Sequence, residues 1–273
     1  MMGRMKQIIT VLAAWLMATT LLAQGTDLLS AKKGVIPNGY NFWVYTPEDY
    51  YFSQEHTPLV LFLHGSSLCG RDLNRALRYG TMAAIRMGLD MPALVVTPQN
   101  PGGPWNPKKL NDVLEWLDQN DYVYDHNRLY VLGMSLGGYG TLDFVGSYPE
   151  KVAAAMALCG GCTLKDQSRL GEAPLWIIHG TGDKAVSVRE SQIVVSRMKQ
   201  EGHDQRLRFD WLPGASHGAL ARYFYVAKTY EWLFAHSLAD PERPVERGIT
   251  ISQDDLKHAY RMMEKRGEQL ETE

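Results

Sequence analysis

Arg128-Leu-Tyr-Val-Leu-Gly-Met-Ser135-Leu-Gly-Gly-Tyr-Gly-Thr141 is the stretch that decides how this chain folds. An unbroken apolar run, Leu129 to Leu132, meets Gly133-Met134-Ser135-Leu136-Gly137, and a helix-like stretch from Gly138 to Tyr148 comes next. Apolar residues without alternation suit a strand buried on both faces, as in a parallel sheet. A serine at the turn between such a strand and a helix needs neighbours without side chains, because backbone must pass close to it. The helix beyond the turn aims its free N–H groups at the serine. A tight turn in which serine is merely small would explain the pentapeptide alone. The rest of the chain argues against that.

Working outward, Pro58 to His64, Ala93 to Thr97 and Pro174 to His179 are further continuous apolar runs, and Val152 to Leu158 and Leu207 to Leu212 are weaker ones. Between them, Leu110, Val113, Leu114 and Leu117 fall at i, i+3, i+4, i+7, and Val188 to Glu201 is also amphipathic. Strand–helix alternation of this kind predicts a doubly wound, mostly parallel α/β sheet. Tyr40 to Thr46 alternates and predicts an antiparallel strand at the leading edge of the sheet.

The Ser135 turn gains chemical meaning from two loops further along the chain. A serine hydroxyl attacks only when a base takes its proton, and the base needs an orienting partner. Folds built on such an elbow place first the acid and then the histidine after the serine. Here the 174–179 strand ends in His179-Gly-Thr-Gly-Asp183, and the 207–212 strand ends in Pro213-Gly-Ala-Ser-His217. Both lie just past a strand's carboxyl end, where open α/β sheets bind ligands. Ser135 is therefore expected as nucleophile, His217 as base and Asp183 as the acid that orients it. The oxyanion hole is expected from the backbone N–H of Leu136 and, after the strand ending at Leu63, that of Ser66, which comes directly after a glycine. Trp105, past Pro101-Gly-Gly-Pro104, reads equally as a substrate-pocket floor or a loop anchor. His64 and His179 read as packed structural histidines, and the remaining histidines show no metal-ligand spacing, so no metal is expected.

Taken together, His64-Gly65, Thr97-Pro98-Gln99, Gly133 to Thr141, Cys159-Gly160-Gly161, His179 to Asp183 and Gly214-Ala-Ser-His217-Gly218 resemble the α/β-hydrolase serine esterases. The feruloyl- and acetyl-esterase branch and the prolyl-oligopeptidase-like hydrolases are the nearest in kind, over about Tyr40 to Ala235. That resemblance implies carboxylic ester hydrolysis through an acyl-enzyme, without a cofactor. It departs at Cys162, where the pattern would hold glycine or an acidic residue, and in the tail after Asp240. Lid domains of such enzymes usually enter after the strand beyond the nucleophile helix; Cys159 to Pro174 is only of loop length, so no lid is expected. An open site favours acyl groups on polysaccharide or similar bulky alcohols over free lipids. Peptide hydrolysis and acyl transfer are the rival activities.

Size and charge set the frame. The chain has 273 residues, 45% of them hydrophobic, and a formal net charge of -2. This suits one globular domain and gives no electrostatic reason for a nucleic-acid partner. Arg4 and Lys6 precede the apolar run Ile8 to Ala23, with small residues Ala23 and Gly25 at cleavage spacing. This is the pattern of a secretory signal peptide. The run falls short of the ~20 residues of a membrane span, so stable membrane insertion is not expected. The expected plan is a signal peptide over residues 1–23, a catalytic domain over 26–239, and a linker with a helical tail over 240–273. The mature protein would be secreted or periplasmic. Export permits disulfides, and a Cys69–Cys162 bridge across the rim of the site is the pairing expected, with three free thiols as the alternative; Cys159 reads as a buried small hydrophobe. Cys159-x-x-Cys162 lacks the helix-opening context of a redox motif.

Overall fold

The computed structural model describes residues 28–50 and 56–259, and the signal-peptide expectation lies outside them. Each apolar run becomes a strand: β3 (Leu59–Leu63), β4 (Leu94–Gln99), β5 (Leu129–Met134), β6 (Ala154–Leu158) and β7 (Leu175–Gly180) are buried along their whole length. With β1 (Leu29–Lys32), β2 (Asn41–Tyr45) and β8 (Leu207–Leu212) they form one sheet in the order β1-β2-β4-β3-β5-β6-β7-β8. Strands β3 to β8 pair in parallel, while β1–β2 and β2–β4 are antiparallel. The strand expected at the leading edge is β2, but β1 lies outside it. A four-residue, partly exposed strand such as Leu-Ser-Ala-Lys carries no periodic signal to read.

Helices cover both faces, because strands buried on both sides need an apolar layer above and below. On one face lie α1 (Thr81–Arg86) and α5 (Ala227–Phe234), with a 3-10 segment over His217–Tyr225. On the other lie α2 (Pro107–Asp118), α3 (Leu136–Ser147) and α4 (Val188–Gln200). Helix α2 starts where Asn106 accepts a bond from the Lys109 N–H and Pro107 fixes the first turn. Its Leu110, Val113, Leu114 and Leu117 are buried.

Chain direction places the site. The chain runs from β3 outward to β4, then crosses back so that β5 pairs with the other side of β3. This reversal leaves a crevice at the carboxyl ends of β3 and β5, the position where doubly wound sheets bind ligands. Between β6 and β7 the described chain is a loop with a single 3-10 turn, Ser168–Glu172, and no inserted domain.

From Pro241 to Ala259 the described chain stays on the α5 face. Arg206 and Arg208 donate to the carbonyls of Pro241, Glu242, Glu246 and Ile249, and the Trp232 indole donates to Glu246 O. Ser252 and Asp255 cap the helical residues 253–259, and Val245, Leu256 and Ala259 join that face's core. No helix among the described residues is long and apolar enough to cross a membrane.

Candidate active site

Ser135 ends β5 in a conformation that side chains rarely adopt, with φ 60° and ψ -123°. Such strain persists only where the surroundings hold it. Two bonds do so here. Its N–H donates to Leu158 O on β6 at 2.9 Å, and its carbonyl accepts the first helical bond of α3 from Tyr139 N–H at 3.0 Å. Gly137 is required by close approach: a Cβ there would stand 1.8 Å from Leu63 O. The elbow therefore presses directly on the end of β3.

Asp183 and His217 sit on adjacent loops because β7 and β8 are paired. The loops meet backbone to backbone; a Cβ on Gly180 would lie 2.2 Å from Ala215 O. His217 Nδ1 lies 2.7 Å from Asp183 Oδ2. A carboxylate can only accept, so Nδ1 carries the proton and Nε2 is left as the basic nitrogen. The other oxygen, Oδ1, accepts the Ala185 and Val186 N–H groups at 2.8 and 2.9 Å. Burial alone would raise the Asp183 pKa, but the bonds from Val186, His217 and Ala185 outweigh it, and the carboxyl is held below its ordinary range. The Asp183 side chain is fully buried, whereas that of His217 is 26% exposed.

The expected oxyanion donors sit at the starts of helical turns, where N–H groups have no intrahelical acceptor. Leu136 opens α3 and Ser66 opens the 3-10 turn Ser66–Leu68. The residues just before them adjoin, since a Cβ on Gly65 would touch Ser135 Cβ at 3.4 Å.

His64 is buried as a structural link. Its Nδ1 donates to Gly65 O at 2.8 Å and its Nε2 accepts from Asn100 N–H at 3.1 Å, joining the ends of β3 and β4. Burial holds its pKa down to about 4. His179 is also buried, with Nε2 3.0 Å from Val186 O and 3.4 Å from Asp183 Oδ2, so it packs beneath the acid. Trp105 is only 3% exposed. It donates its indole N–H to His64 O at 3.2 Å and packs edge-on against Tyr40 and His64. Its surface is spent on anchoring the loop, so it is not a floor offered to substrate.

All three cysteines are free, and the expected Cys69–Cys162 bridge does not form. The loops after β3 and β6 are not neighbours, because β5 stands between them. Two strand spacings come to about 9–10 Å, beyond the ~7 Å that a disulfide spans. Burial pushes the Cys162 thiol up to about 12 and raises that of Cys159 too, so neither is a ready thiolate. Cys159, with φ 39°, fills the space beside the acid–base pair. Its sulfur and ligand atoms of Asp183 and His217 all lie within 4.8 Å of one another, the one group among the described residues with metal-ligand chemistry. Within that group His217 Nδ1 and Asp183 Oδ2 are bonded to each other.

Sequence reasoning missed the side chains that hold the loop from Gly65 to Gly70: Tyr79, Arg75 and Gln99. Gln99 stood out only as a strand end, and the other two belong to no motif.

At the level of sequence, no family model matches this chain and no curated relative does either. Solved structures do match it. A thermostable esterase superposes with a TM-score of 0.64 at 25% identity, covering 78% of this chain and 64% of the esterase. The chain has the α/β-hydrolase fold. It spans under two thirds of that esterase's length. The same α/β-hydrolase fold relates it to the feruloyl esterase module from Clostridium thermocellum, complexed with sinapinate, with a TM-score of 0.51 at 16% identity over 82% of this chain and 90% of that one. The acetyl xylan esterase from Aspergillus awamori gives 0.54 at 14% identity, over 69% and 93%.

Proposed function

We propose that this α/β-hydrolase is a serine ester hydrolase working through an acyl-enzyme on Ser135. The observation that carries this reading is the 2.7 Å His217–Asp183 bond on the two loops beside a strained Ser135 elbow. In the first half-reaction the Ser135 hydroxyl attacks the ester carbonyl carbon and His217 Nε2 takes its proton. Negative charge gathers on the carbonyl oxygen, where the N–H groups of Leu136 and Ser66 receive it. The carbon–oxygen bond to the alcohol then breaks, and the imidazolium returns the proton to the departing alcohol. Water repeats the sequence on the acyl-enzyme: His217 takes a water proton, and Ser135 leaves with it. Asp183 keeps the proton on Nδ1 throughout and stabilises the imidazolium without being protonated.

The substrate we propose is an acyl group, of acetyl or feruloyl type, on a polysaccharide or similarly bulky alcohol. The short β6–β7 loop supports it, because no domain is inserted there, and the fold shared with esterases named for such substrates points the same way. Export by the N-terminal leader would bring the enzyme to polymers outside the cell. Ser135→Ala should lower kcat for p-nitrophenyl acetate by about 10³-fold or more without unfolding the chain. Unchanged turnover would refute the mechanism. Acetylated xylan, feruloylated arabinose and peptide p-nitroanilides tested side by side decide the substrate class, and cleavage of anilides alone would replace the ester reading with a peptidase.

A further inference from the structure

The loop from Gly65 to Gly70 carries one of the two expected oxyanion donors, and its carbonyl side is fixed by long side chains. Arg75 donates Nη2 to Ser67 O at 2.8 Å and Nε to Leu68 O at 3.2 Å. Gln99 Nε2 reaches Leu68 O at 2.7 Å and Gly70 O at 3.0 Å. The N–H side has a different holder. Gly65 N–H donates to the Tyr79 hydroxyl at 2.6 Å. A Cβ on Gly65 would meet that hydroxyl at 2.8 Å, Met134 O at 3.3 Å and Ser135 Cβ at 3.4 Å, so hydroxyl and nucleophile border the same small space. The Tyr79 ring is itself located by edge-on packing against Phe62, centroids 6.4 Å apart. Burial raises its pKa, which keeps the hydroxyl protonated.

We propose that Tyr79 is the positioning residue of the oxyanion hole: by accepting the Gly65 N–H it takes that donor out of the crevice and leaves the next one, Ser66, to face Ser135. The inference rests on the ester-hydrolase reading. Gly65 N–H needs an acceptor in a partly buried place. Without the hydroxyl it would turn to water or to the substrate carbonyl, and the Ser66 donor would move from the position where charge develops. Displacements of about 1 Å at such a site cost roughly 100-fold in rate. The effect falls on the transition state rather than on substrate binding, because the oxyanion exists only there.

Tyr79→Phe in the full chain keeps the ring and removes the acceptor. We expect kcat for p-nitrophenyl acetate to fall about 10- to 100-fold with KM within about twofold. Affinity for a trifluoromethyl ketone, whose hemiketal carries the oxyanion, should fall by the same factor as kcat/KM. A purely structural role would lower the melting temperature without that proportionality. If the phenylalanine variant does not fold, 4-aminophenylalanine at position 79 keeps the shape with a poorer acceptor and should also lower kcat. An active parent, labelled at Ser135 by a fluorophosphonate, with kcat unchanged in a folded variant overturns this inference alone. A parent that neither cleaves the ester nor is labelled overturns the ester-hydrolase reading and this inference with it.

Discussion

The two sides of the crevice are built by different means. On the β7–β8 side, Asp183 and His217 are brought together by backbone against backbone, with glycines where loops touch and two N–H groups holding the acid. On the β3–β4 side, the loop from Gly65 to Gly70 is held by side chains from outside it that share no motif: His64 next to it, Arg75 and Tyr79 further along the chain, and Gln99 at the end of β4. A backbone-built site leaves a motif, because glycine and catalytic residues sit together in sequence. A side-chain-built one does not.

The largest effect should come from breaking the backbone-built side. Asp183→Asn keeps the shape of the acid, but an amide can donate to His217 Nδ1 and so favour the tautomer that leaves Nε2 protonated. We expect kcat to fall on the order of 10⁴-fold with little change in KM, measured on a soluble ester. A loss under tenfold would show that Asp183 does not orient the base.

Gly137→Ala strikes where the two sides meet. The added methyl would stand 1.8 Å from Leu63 O, and neither β3 nor the elbow is free to retreat, since each is hydrogen-bonded into the sheet. Overpacking of this kind costs about 1–3 kcal/mol, so urea denaturation should show a loss near the top of that range. A variant as stable as the parent would mean that the elbow can yield despite those bonds.

The elements that fixed the fold were legible for the same reason as the Asp183 and His217 loops, which the structure pairs. Continuous apolar runs of this length between turn residues suit strands buried on both faces, and β3 to β7 are all of that type. Strand β1 was not legible, being short and half exposed. The cysteine pairing failed because it assumed that the loops after β3 and β6 adjoin, whereas strand order is set by a crossover that no local pattern records. Trp105 shows the limit of position alone: it stands past a strand's carboxyl end as a substrate residue would, yet its indole is used beneath the loop. Tyr79 lies in a connection with no periodicity, and only its bond to Gly65 makes it visible.

A smaller effect distinguishes the two sides by pH. His64 is neutral in the folded chain, with its pKa lowered from 6.5 to about 4 chiefly by burial. The unfolded chain therefore binds more protons between those values, and stability must fall as pH drops through that window. His64→Gln should flatten the fall in denaturation midpoint between pH 6.5 and 4. An identical slope in parent and variant would remove His64 as the pH-sensitive tie of the oxyanion side.

We propose that both sides serve one acyl-enzyme on Ser135. Acid quenching of the parent with a slowly deacylated ester, then peptide mass spectrometry, tests it most directly. We predict one acyl group on the peptide containing Gly133 to Gly137, located on Ser135 and absent from Ser135→Ala. Turnover of the ester with that peptide never acylated, or acylated at another residue, would contradict it.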